Sequence, residues 1–272
     1  MPDSPVAPAL LIDPARLPAL LGQAKGRFNV IALAECASTN TLLMEQAGVG
    51  APGGTVIVAD RQTAGRGSRG RGWMATPEAS LTFSVLWSFS GGLENLSGLS
   101  LAVGVAVVRA LERSGAHDVM LKWPNDILLG HGKLGGILVE LHAEPDAAKA
   151  VIGIGLNLRL PPSIGEASVA GLPAAALEQI VSTLPERHQL FARLLEELAG
   201  TLDRFAAGGF AALRDDWHAC HAWQEQPVRL LREGRVEKEG VCAGADADGA
   251  LLVRTAAGLE RCLSGDVSLR PR

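Results

Sequence analysis

Cysteine is scarce in this sequence. Four cysteines, Cys36, Cys220, Cys242 and Cys262, are spread over 272 residues, and none forms a Cys-x-x-Cys pair. Disulfide-stapled scaffolds and structural zinc modules need closely spaced cysteines, so neither is predicted. The sequence also lacks an uninterrupted run of the ~18 apolar residues that a membrane-spanning helix needs, and its proline-rich start has no basic segment of the kind that opens a signal peptide. These absences predict a cytoplasmic protein without a membrane partner.

An excess of basic residues is missing as well. Lysine and arginine total 25, aspartate and glutamate total 29, and the net charge is −4. A protein whose main task is to bind nucleic acid is expected to carry a basic surface, so no nucleic-acid partner is predicted. With 47% hydrophobic and 20% charged residues, the chain is instead predicted to fold around a packed core.

The order of strand-like and helix-like runs predicts two folded units after an N-terminal extension over residues 1–28. Residues 29–224 mix both kinds of run without regular βαβ alternation, which favours an α+β domain with a mixed sheet over a doubly wound one. Residues 225–272 contain short strands separated by turn signals, which predicts a small β-barrel docked on the main domain, since a unit of this size buries little surface alone.

Within the main domain, single patterns predict individual elements. Ser38 can cap a helix over residues 39–47, and residues 80–87 alternate between apolar and polar side chains, as in a half-buried strand. A run of small apolar residues predicts a central buried helix over residues 96–114. Two further helices are predicted over residues 185–207 and 210–223.

The most unusual segment is GRGSRGRGW, residues 65–73. Its glycines let backbone amides approach an anion closely, and its arginines suit phosphate oxygens, although a solvated surface loop is the alternative. The segment matches G-x-G-x-x-G, but residues 73–77 (WMATP) cannot open the helix that a dinucleotide site requires, so we reject that interpretation. No Walker A motif is present, because Leu134 follows Gly132-Lys133.

Three later segments also combine residues that a simple fold does not need. Residues 122–126 read KWPND and residues 133–140 read KLGGILVE, so that Lys133 opens an apolar strand in which a charge has no structural use. The alternatives are an exposed lysine at the start of a strand and, for Asp126, a turn residue that bonds its own backbone. In GIGLN, residues 153–157, glycines within a buried strand indicate close approach of a ligand or tight packing on a helix.

Taken in order, these segments resemble the catalytic domain of the biotin–protein ligases. The resemblance runs from Ser38-Thr39-Asn40 through Gln62 and the glycine–arginine segment to KWPND, KLGGILVE and GIGLN, and it covers residues 29–160. Each motif alone is weak, whereas the ordered set is specific. The resemblance implies a class II synthetase-like catalytic domain followed by an SH3-like β-barrel.

The resemblance also implies roles for individual residues. Biotin would be bound by Ser38, Thr39, Asn40, Gln62, Gly65, Arg66, Gly67, Ser68, Trp73, Lys133, Gly136, Gly153 and Gly155. The nucleotide would be bound by Arg66, Arg69, Arg71, Lys122, Asn125 and Asn157. The catalytic groups would be Lys133, Arg66, Lys122 and Asp126, with Asp126 as a candidate to receive the proton of the incoming amine. Hydroxyl and amide groups match the donors and acceptor of a cyclic urea.

The implied reaction has two steps and three partners. Biotin and ATP, with Mg²⁺ on the phosphates, give biotinyl-AMP, and a lysine of a biotin carboxyl carrier protein then takes the biotinyl group. The alternatives are a lipoate–protein ligase or acyl transferase, a biotin-sensing repressor, and a non-catalytic biotin-binding protein. Only 28 residues precede Asn29, too few for a helix-turn-helix domain, so we expect no repressor activity. Monomer and homodimer both remain open.

Two further segments bear on metal binding and on closure of the loop. His218, Cys220 and His221 could ligate a metal, but such close neighbours on a helix do not form a zinc cage alone, so no metal site is predicted.

Ser68 stands where the family loop has an arginine. We hypothesise that Arg69 takes over that role, the alternative being that Arg69 points to solvent and the loop closes more loosely. Because nothing apolar pins residues 65–72, the loop is expected to become ordered over a ligand.

Overall fold

The strand-forming runs between residues 29 and 157 assemble into one mixed sheet. Its strands are β1 Asn29–Cys36, β2 Thr55–Gln62, β3 Ser80–Ser90, β4 Val119–Lys122, β5 Asp126–Leu129, β6 Gly132–Ala143 and β7 Ala147–Asn157. The computed structural model describes residues 10–144, 147–160, 168–169, 172–232, 234–263 and 267–272, and within them the order is β1-β2-β3-β7-β6-β5-β4. β1 and β2 are parallel and the other neighbours antiparallel. This confirms the predicted α+β mixed sheet.

Helices cover both faces of this sheet. They are α1 Thr39–Gly48, α2 Leu99–Glu112, α3 Arg187–Gly208 and α4 Arg214–Cys220. Leu43 of α1 packs with Leu86 on one face, and Phe191 of α3 packs edge-on against Phe83 on the other, with the ring centroids 5.0 Å apart. The prediction that β3 is half-buried is therefore wrong. A central strand with helices on both sides is buried on both faces.

The predicted start of α1 is confirmed, whereas the central helix is shorter than predicted. Ser38 caps α1, since its hydroxyl accepts from the amide of Thr41 at 3.4 Å. α2 begins only at Leu99, because Gly98 adopts a left-handed φ of 78° after a 3-10 turn. The segment Leu93–Glu112 is long and apolar enough to cross a membrane, but eleven of the fourteen residues of α2 are buried in the core. It is the central helix of the main domain.

The helical region after residue 185 is also more broken than predicted. α3 matches its prediction closely, but residues 210–223 do not form one helix: a 3-10 turn at Phe210–Leu213 leads into the seven-residue α4. His221 follows α4 with extended backbone, and its ring stacks on Trp217 with a centroid distance of 4.4 Å. His218 accepts from the amide of Ala245 at 2.9 Å. His221 Nδ1 also lies 3.9 Å from Cys242 Sγ, so both histidines tie the α4 region to the C-terminal strands.

A short antiparallel pair, β8 Ser168–Val169 and β9 Leu172–Pro173, precedes the C-terminal strands in the chain. The C-terminal strands form a second sheet. They are β10 Pro227–Arg232, β11 Arg235–Ala245, β12 Leu251–Thr255, β13 Gly258–Cys262 and β14 Val267–Pro271. Within the described residues their order is β13-β12-β11-β10-β14, all antiparallel. This agrees with the predicted SH3-like unit.

The C-terminal sheet and the N-terminal segment share the core of the main domain. Val228 and Leu269 of the second sheet and Leu17 of the N-terminal segment belong to the same cluster of buried apolar side chains as α2 and α3. The Trp123 indole donates to the carbonyl of Gly249 at 3.0 Å. Gly98 and Gly249 meet so closely that a Cβ on Gly249 would lie 2.7 Å from the Gly98 Cα. The three parts therefore pack as one body.

The buried His221 gives a pH-dependent prediction. Burial, followed by the charge of His218, lowers the pKa of His221 to about 3 in the folded chain, against about 6.5 in the unfolded chain. Its contribution to stability is complete above pH 6.5 and is lost as the pH falls toward 3, by about 1.4 kcal/mol per pH unit. His221→Phe keeps a ring beside Trp217 and should flatten this loss in urea titrations between pH 6.5 and 4. The exposed His117→Gln should not, and equal slopes in wild type and His221→Phe would contradict the assignment.

Candidate functional site

A pocket opens on the α1 side of the sheet, where the start of α1, the end of β2 and the strands β3, β6 and β7 meet. It holds about 440 Å³ of empty space, part of it open to solvent. The sequence-predicted residues that line it are Ser38, Thr39, Asn40, Gln62, Arg66, Gly67, Ser68, Trp73, Asn125, Lys133, Gly136, Gly153 and Gly155. Residues that are far apart in the sequence are thus brought around one space.

The inner wall of the pocket is a chain of hydrogen bonds between buried polar side chains. Gln62 Oε1 accepts from the backbone amide of Thr39 at 2.7 Å and from its hydroxyl at 3.1 Å. Ser84 Oγ lies 2.8 Å from Thr39 Oγ1 and donates to Asn40 Oδ1 at 2.6 Å. Asn40 Nδ2 donates in turn to Glu140 Oε2 at 3.0 Å. Each polar group holds the next, so the wall presents fixed donors and acceptors.

The glycine–arginine segment forms a hairpin beside this wall. The amide of Gly67 donates to the carbonyl of Arg71 at 2.7 Å, and that of Trp73 donates to Gly65 at 2.8 Å. Gly65 permits this approach, because a Cβ there would lie 2.3 Å from the Trp73 carbonyl oxygen. Residues 65–73 pair only through an isolated bridge and a 3-10 turn at Ser68–Gly70, so the segment is a loop and not a regular strand.

Two of the loop arginines are held by specific partners. Arg66 makes a two-pronged ion pair with Glu140, with Nη2 to Oε1 at 2.8 Å and Nη1 to Oε2 at 3.3 Å. Arg71 folds back on Ser68, donating from Nη2 to its hydroxyl at 3.1 Å and from Nε to its carbonyl at 3.2 Å. The side chain of Arg69 lies outside the described part of the chain, so its compensating role remains a prediction.

Two glycines of β7 accommodate protein side chains that face the pocket. A Cβ on Gly153 would lie 2.2 Å from Asn40 Oδ1, and one on Gly155 would lie 2.3 Å from the indole of Trp73. The Gly153 contact agrees with the tight-packing alternative, because Asn40 belongs to α1. The glycines thus fix where two pocket side chains lie.

A buried carboxylate between two lysines closes the other end of the pocket. Asp126 Oδ2 lies 2.5 Å from Lys122 Nζ, and Oδ1 lies 2.5 Å from Lys133 Nζ. The exposed fractions are 4% for Lys122, 3% for Asp126 and 7% for Lys133, so Lys133 is not the exposed strand-start lysine of the alternative. Of the two lysines, Lys133 lines the pocket.

The charges of this triad decide what its members can do. Burial lowers the pKa of Lys122 to about 8, although Asp126 opposes the shift. Burial alone would raise the pKa of Asp126, but the two ammonium groups overcome it and lower that pKa to about 2. A carboxylate with so low a pKa is a weak base. Asp126 is therefore better suited to hold the two lysines in place than to serve in its predicted role as proton acceptor.

Some predicted residues lie beside the pocket without lining it. Asn157 donates to the carbonyls of Lys133 at 3.3 Å and Ala175 at 3.0 Å, and thereby joins β7 to the neighbouring backbone. Within the described part of the chain, the side chains or backbone of four further predicted residues are also absent from the lining: Gly65, Arg71, Lys122 and Asp126. Asn125 lines the pocket and donates to the carbonyl of Ile137 at 2.8 Å.

Residues of β3 at and behind the pocket lie outside the motifs that were singled out from the sequence. Thr82 and Phe83 line the pocket, and Ser84 is fully buried between Thr39 and Asn40. Their signal is the polar series Ser80, Thr82 and Ser84 on one face of β3, which sequence reasoning assigned to solvent. Polar side chains at every second position of a central strand indicate a buried polar wall.

Comparisons with known proteins agree with this site. The profile of the Biotin/lipoate A/B protein ligase family matches residues 33–157, and that of the Biotin protein ligase C terminal domain matches residues 225–270. The bifunctional ligase/repressor BirA of Escherichia coli is 36% identical over 252 residues, or 92% of this chain and 77% of the relative. A biotin–[acetyl-CoA-carboxylase] ligase of Mycobacterium tuberculosis is 32% identical over 91% of both chains.

A solved structure shows the same fold. The biotin protein ligase of Aquifex aeolicus in complex with biotin and ATP superposes with a TM-score of 0.75 at 31% identity, covering 90% of this chain and 99% of that one. The two domain matches, the relatives and the shared fold all point in one direction. The chain belongs to the Biotin/lipoate A/B protein ligase family, as an enzyme of its biotin protein ligase group.

Proposed function

We propose that the chain joins biotin to ATP as biotinyl-AMP and transfers the biotinyl group to a lysine of a biotin carboxyl carrier protein. The observation that carries the proposal is the pocket, in which a wall of fixed hydroxyl and amide groups and the ammonium of Lys133 face one space. A ligand with a cyclic urea at one end and a carboxylate at the other fits both features.

In the first step, an oxygen of the biotin carboxylate bonds to the α-phosphorus of ATP and the bond to the β-phosphate breaks, which releases pyrophosphate. Thr39, Asn40 and Gln62 are proposed to hold the urea, which orients the carboxylate toward Lys133. Negative charge grows on the α-phosphoryl oxygens during this step, and a fixed ammonium beside them lowers the barrier. Asp126 is proposed to keep that ammonium charged and in place.

In the second step, the amine of the carrier lysine attacks the acyl carbon and AMP leaves. The amine must lose a proton. Because the pKa of Asp126 is about 2, we propose that solvent or the leaving phosphate accepts this proton. Arg66, Arg69, Arg71, Lys122, Asn125 and Asn157 remain the proposed nucleotide-binding residues, with Arg66 and Asn125 supported by their place in the pocket wall.

Magnesium is proposed to enter with ATP as part of the substrate. The carboxylates nearest the pocket, Asp126 and Glu140, are paired with Lys122, Lys133 and Arg66, and the described residues contain no cluster of three or more side chains suited to a metal. Phosphate oxygens are the ligands that Mg²⁺ prefers in such sites.

The four free cysteines support a cytoplasmic location. The excess of acidic over basic residues supports a ligase that does not bind an operator.

The experiment that tests this proposal is adenylate formation with α-labelled ATP and Mg²⁺. Biotin should yield labelled biotinyl-AMP and pyrophosphate, and addition of a carrier domain should convert the adenylate to AMP and biotinylated carrier. Lipoate and octanoate are run in parallel. Lipoyl- or octanoyl-AMP without biotinyl-AMP would make the chain a lipoate-type ligase. Biotin binding without pyrophosphate release would make it a binding protein.

A further inference from the structure

Glu140 occupies an unusual place in β6. It sits at the edge of the pocket region, its side chain is 22% exposed, and its carboxylate accepts from two different parts of the site. Oε1 accepts from Arg66 Nη2 of the hairpin, whereas Oε2 accepts from Asn40 Nδ2 of the wall at 3.0 Å and from Arg66 Nη1 at 3.3 Å. One carboxylate thus bridges a helix start and a loop.

This bridge completes a continuous path of hydrogen bonds. From Gln62 the path runs through Thr39, Ser84 and Asn40 to Glu140 and ends at Arg66. Gly153 fixes the middle of the path by leaving room only for Asn40. Because an amide and a guanidinium share one carboxylate, a shift of Asn40 changes the position available to Arg66.

We infer that Glu140 is a positioning residue that couples the polar wall of the pocket to the glycine–arginine hairpin. Through it, a ligand that engages Asn40 also fixes Arg66, and a hairpin held by Arg66 keeps Asn40 oriented. The identity of that ligand as biotin rests on the proposed function, whereas the coupling itself rests on the contacts of Glu140. Arg66 is thereby held at the pocket before it meets a phosphate.

Limited trypsin digestion tests the hairpin side of this coupling without biotin or ATP. Glu140→Gln keeps the shape of the side chain and an acceptor for Asn40 but removes the charge that holds Arg66. Cleavage after Arg69 or Arg71 should become about fivefold faster, the factor expected for loss of a partly exposed ion pair. Arg66→Gln breaks the same pair from the loop side and should give the same rate.

The matched control is Glu197→Gln, which removes a surface ion pair with Arg113 at 2.7 Å on the far side of the molecule. It should leave hairpin cleavage unchanged. Equal cleavage of wild type and both hairpin variants, with unchanged melting temperatures, would overturn the inference. If Glu140→Gln loses cooperative thermal unfolding, Glu140→Asp takes its place in the trypsin comparison. Aspartate keeps the negative charge, so cleavage of the hairpin should again be slow.

Kinetics test the pocket side. Glu140→Gln should raise the KM for biotin about fivefold and leave kcat within about twofold, because binding is preorganised by the bridge and chemistry is left to Lys133. A merely structural role would lower kcat and leave KM unchanged. If biotin proves not to be a substrate while the trypsin result holds, the proposed function fails and the positioning role of Glu140 stands.

A double-mutant cycle measures the coupling directly. Asn40 and Arg66 are each hydrogen-bonded to the carboxylate of Glu140, which lies between them. In wild type, the combined effect of Asn40→Ala and Arg66→Ala on the biotin Kd should be smaller than the product of the single effects. In the Glu140→Ala background the two effects should multiply. Multiplicative effects in both backgrounds would contradict the coupling.

Discussion

Replacing Lys133 by alanine is expected to lower the rate of biotinyl-AMP formation by about a thousandfold, the upper end of what removal of one charge-stabilising donor causes. Lys133 lines the pocket, and its ammonium is fixed by Asp126 at 2.5 Å. The effect should fall on the single-turnover rate more than on the affinity for biotin, because the growing phosphoryl charge is stabilised only in the transition state. Rapid-quench measurement of the first turnover checks this.

Lys149→Ala is the matched control for this change. Lys149 is also buried, at 8% exposed, and pairs with Glu144 at 2.7 Å, but it lies outside the pocket. Both variants lose a buried lysine of an ion pair, so both are expected to lose stability, by about 3 kcal/mol for Lys133→Ala, in which Asp126 keeps Lys122, and by less for Lys149→Ala, in which Glu144 is 33% exposed. Near-native adenylation by Lys133→Ala, or equal losses in both variants, would remove Lys133 from the chemistry.

Gly153→Ala is expected to weaken biotin binding about a hundredfold. A Cβ at this position would lie 2.2 Å from Asn40 Oδ1 and 2.9 Å from its Cγ, so Asn40 must leave its bonds to Ser84 and Glu140. Biotin is proposed to bind the intact wall, and holding Asn40 in its place against the added Cβ would cost about 3 kcal/mol, the magnitude of two buried hydrogen bonds, which corresponds to this factor in Kd. Titration calorimetry with biotin alone measures the change.

Gly200→Ala serves as the comparison for Gly153→Ala. Gly200 lies in α3, with no heavy atom within 4 Å of an added Cβ, so the substitution should leave biotin binding unchanged and raise stability by up to about 1 kcal/mol. Wild-type affinity in Gly153→Ala would show that Asn40 can move without cost and that the pocket wall does not bind biotin.

The alternation and capping patterns of the sequence predict the elements of the fold well, because those signals are local. Ser38 marks the start of α1 correctly, and the helix predicted over residues 185–207 closely matches α3. The face of β3 that carries Ser84 is assigned wrongly, because a period-two pattern separates two faces without telling which of them is covered. Burial of the second face depends on α1, which is far from β3 in the sequence.

The candidate site divides in the same way. The glycine–arginine segment and Lys133 stand out in the sequence. A glycine-rich segment destabilises a helix or a strand, and a lysine in an apolar strand is costly to bury, so neither is expected where only regular structure is needed. The pairing of Lys133 with Asp126 and of Arg66 with Glu140 depends on the register between strands and on the hairpin path, which no local pattern encodes. Glu140, within KLGGILVE, therefore looks from the sequence like an ordinary strand residue.

The contact between Gly98 and Gly249 has an evolutionary consequence. Gly98 precedes α2 and Gly249 lies in a turn of the C-terminal sheet. A Cβ on Gly249 would lie 2.7 Å from the Gly98 Cα and would push the two units apart, whereas a Cβ on Gly98 would lie 2.6 Å from Phe210 Cβ and 3.3 Å from the Asp248 carbonyl oxygen. A substitution at one position cannot be offset by shrinking the other, since glycine has no smaller replacement. Lineages that exchange the C-terminal unit by recombination must therefore inherit both glycines together, which makes this pair a constraint on how the two units can be shuffled.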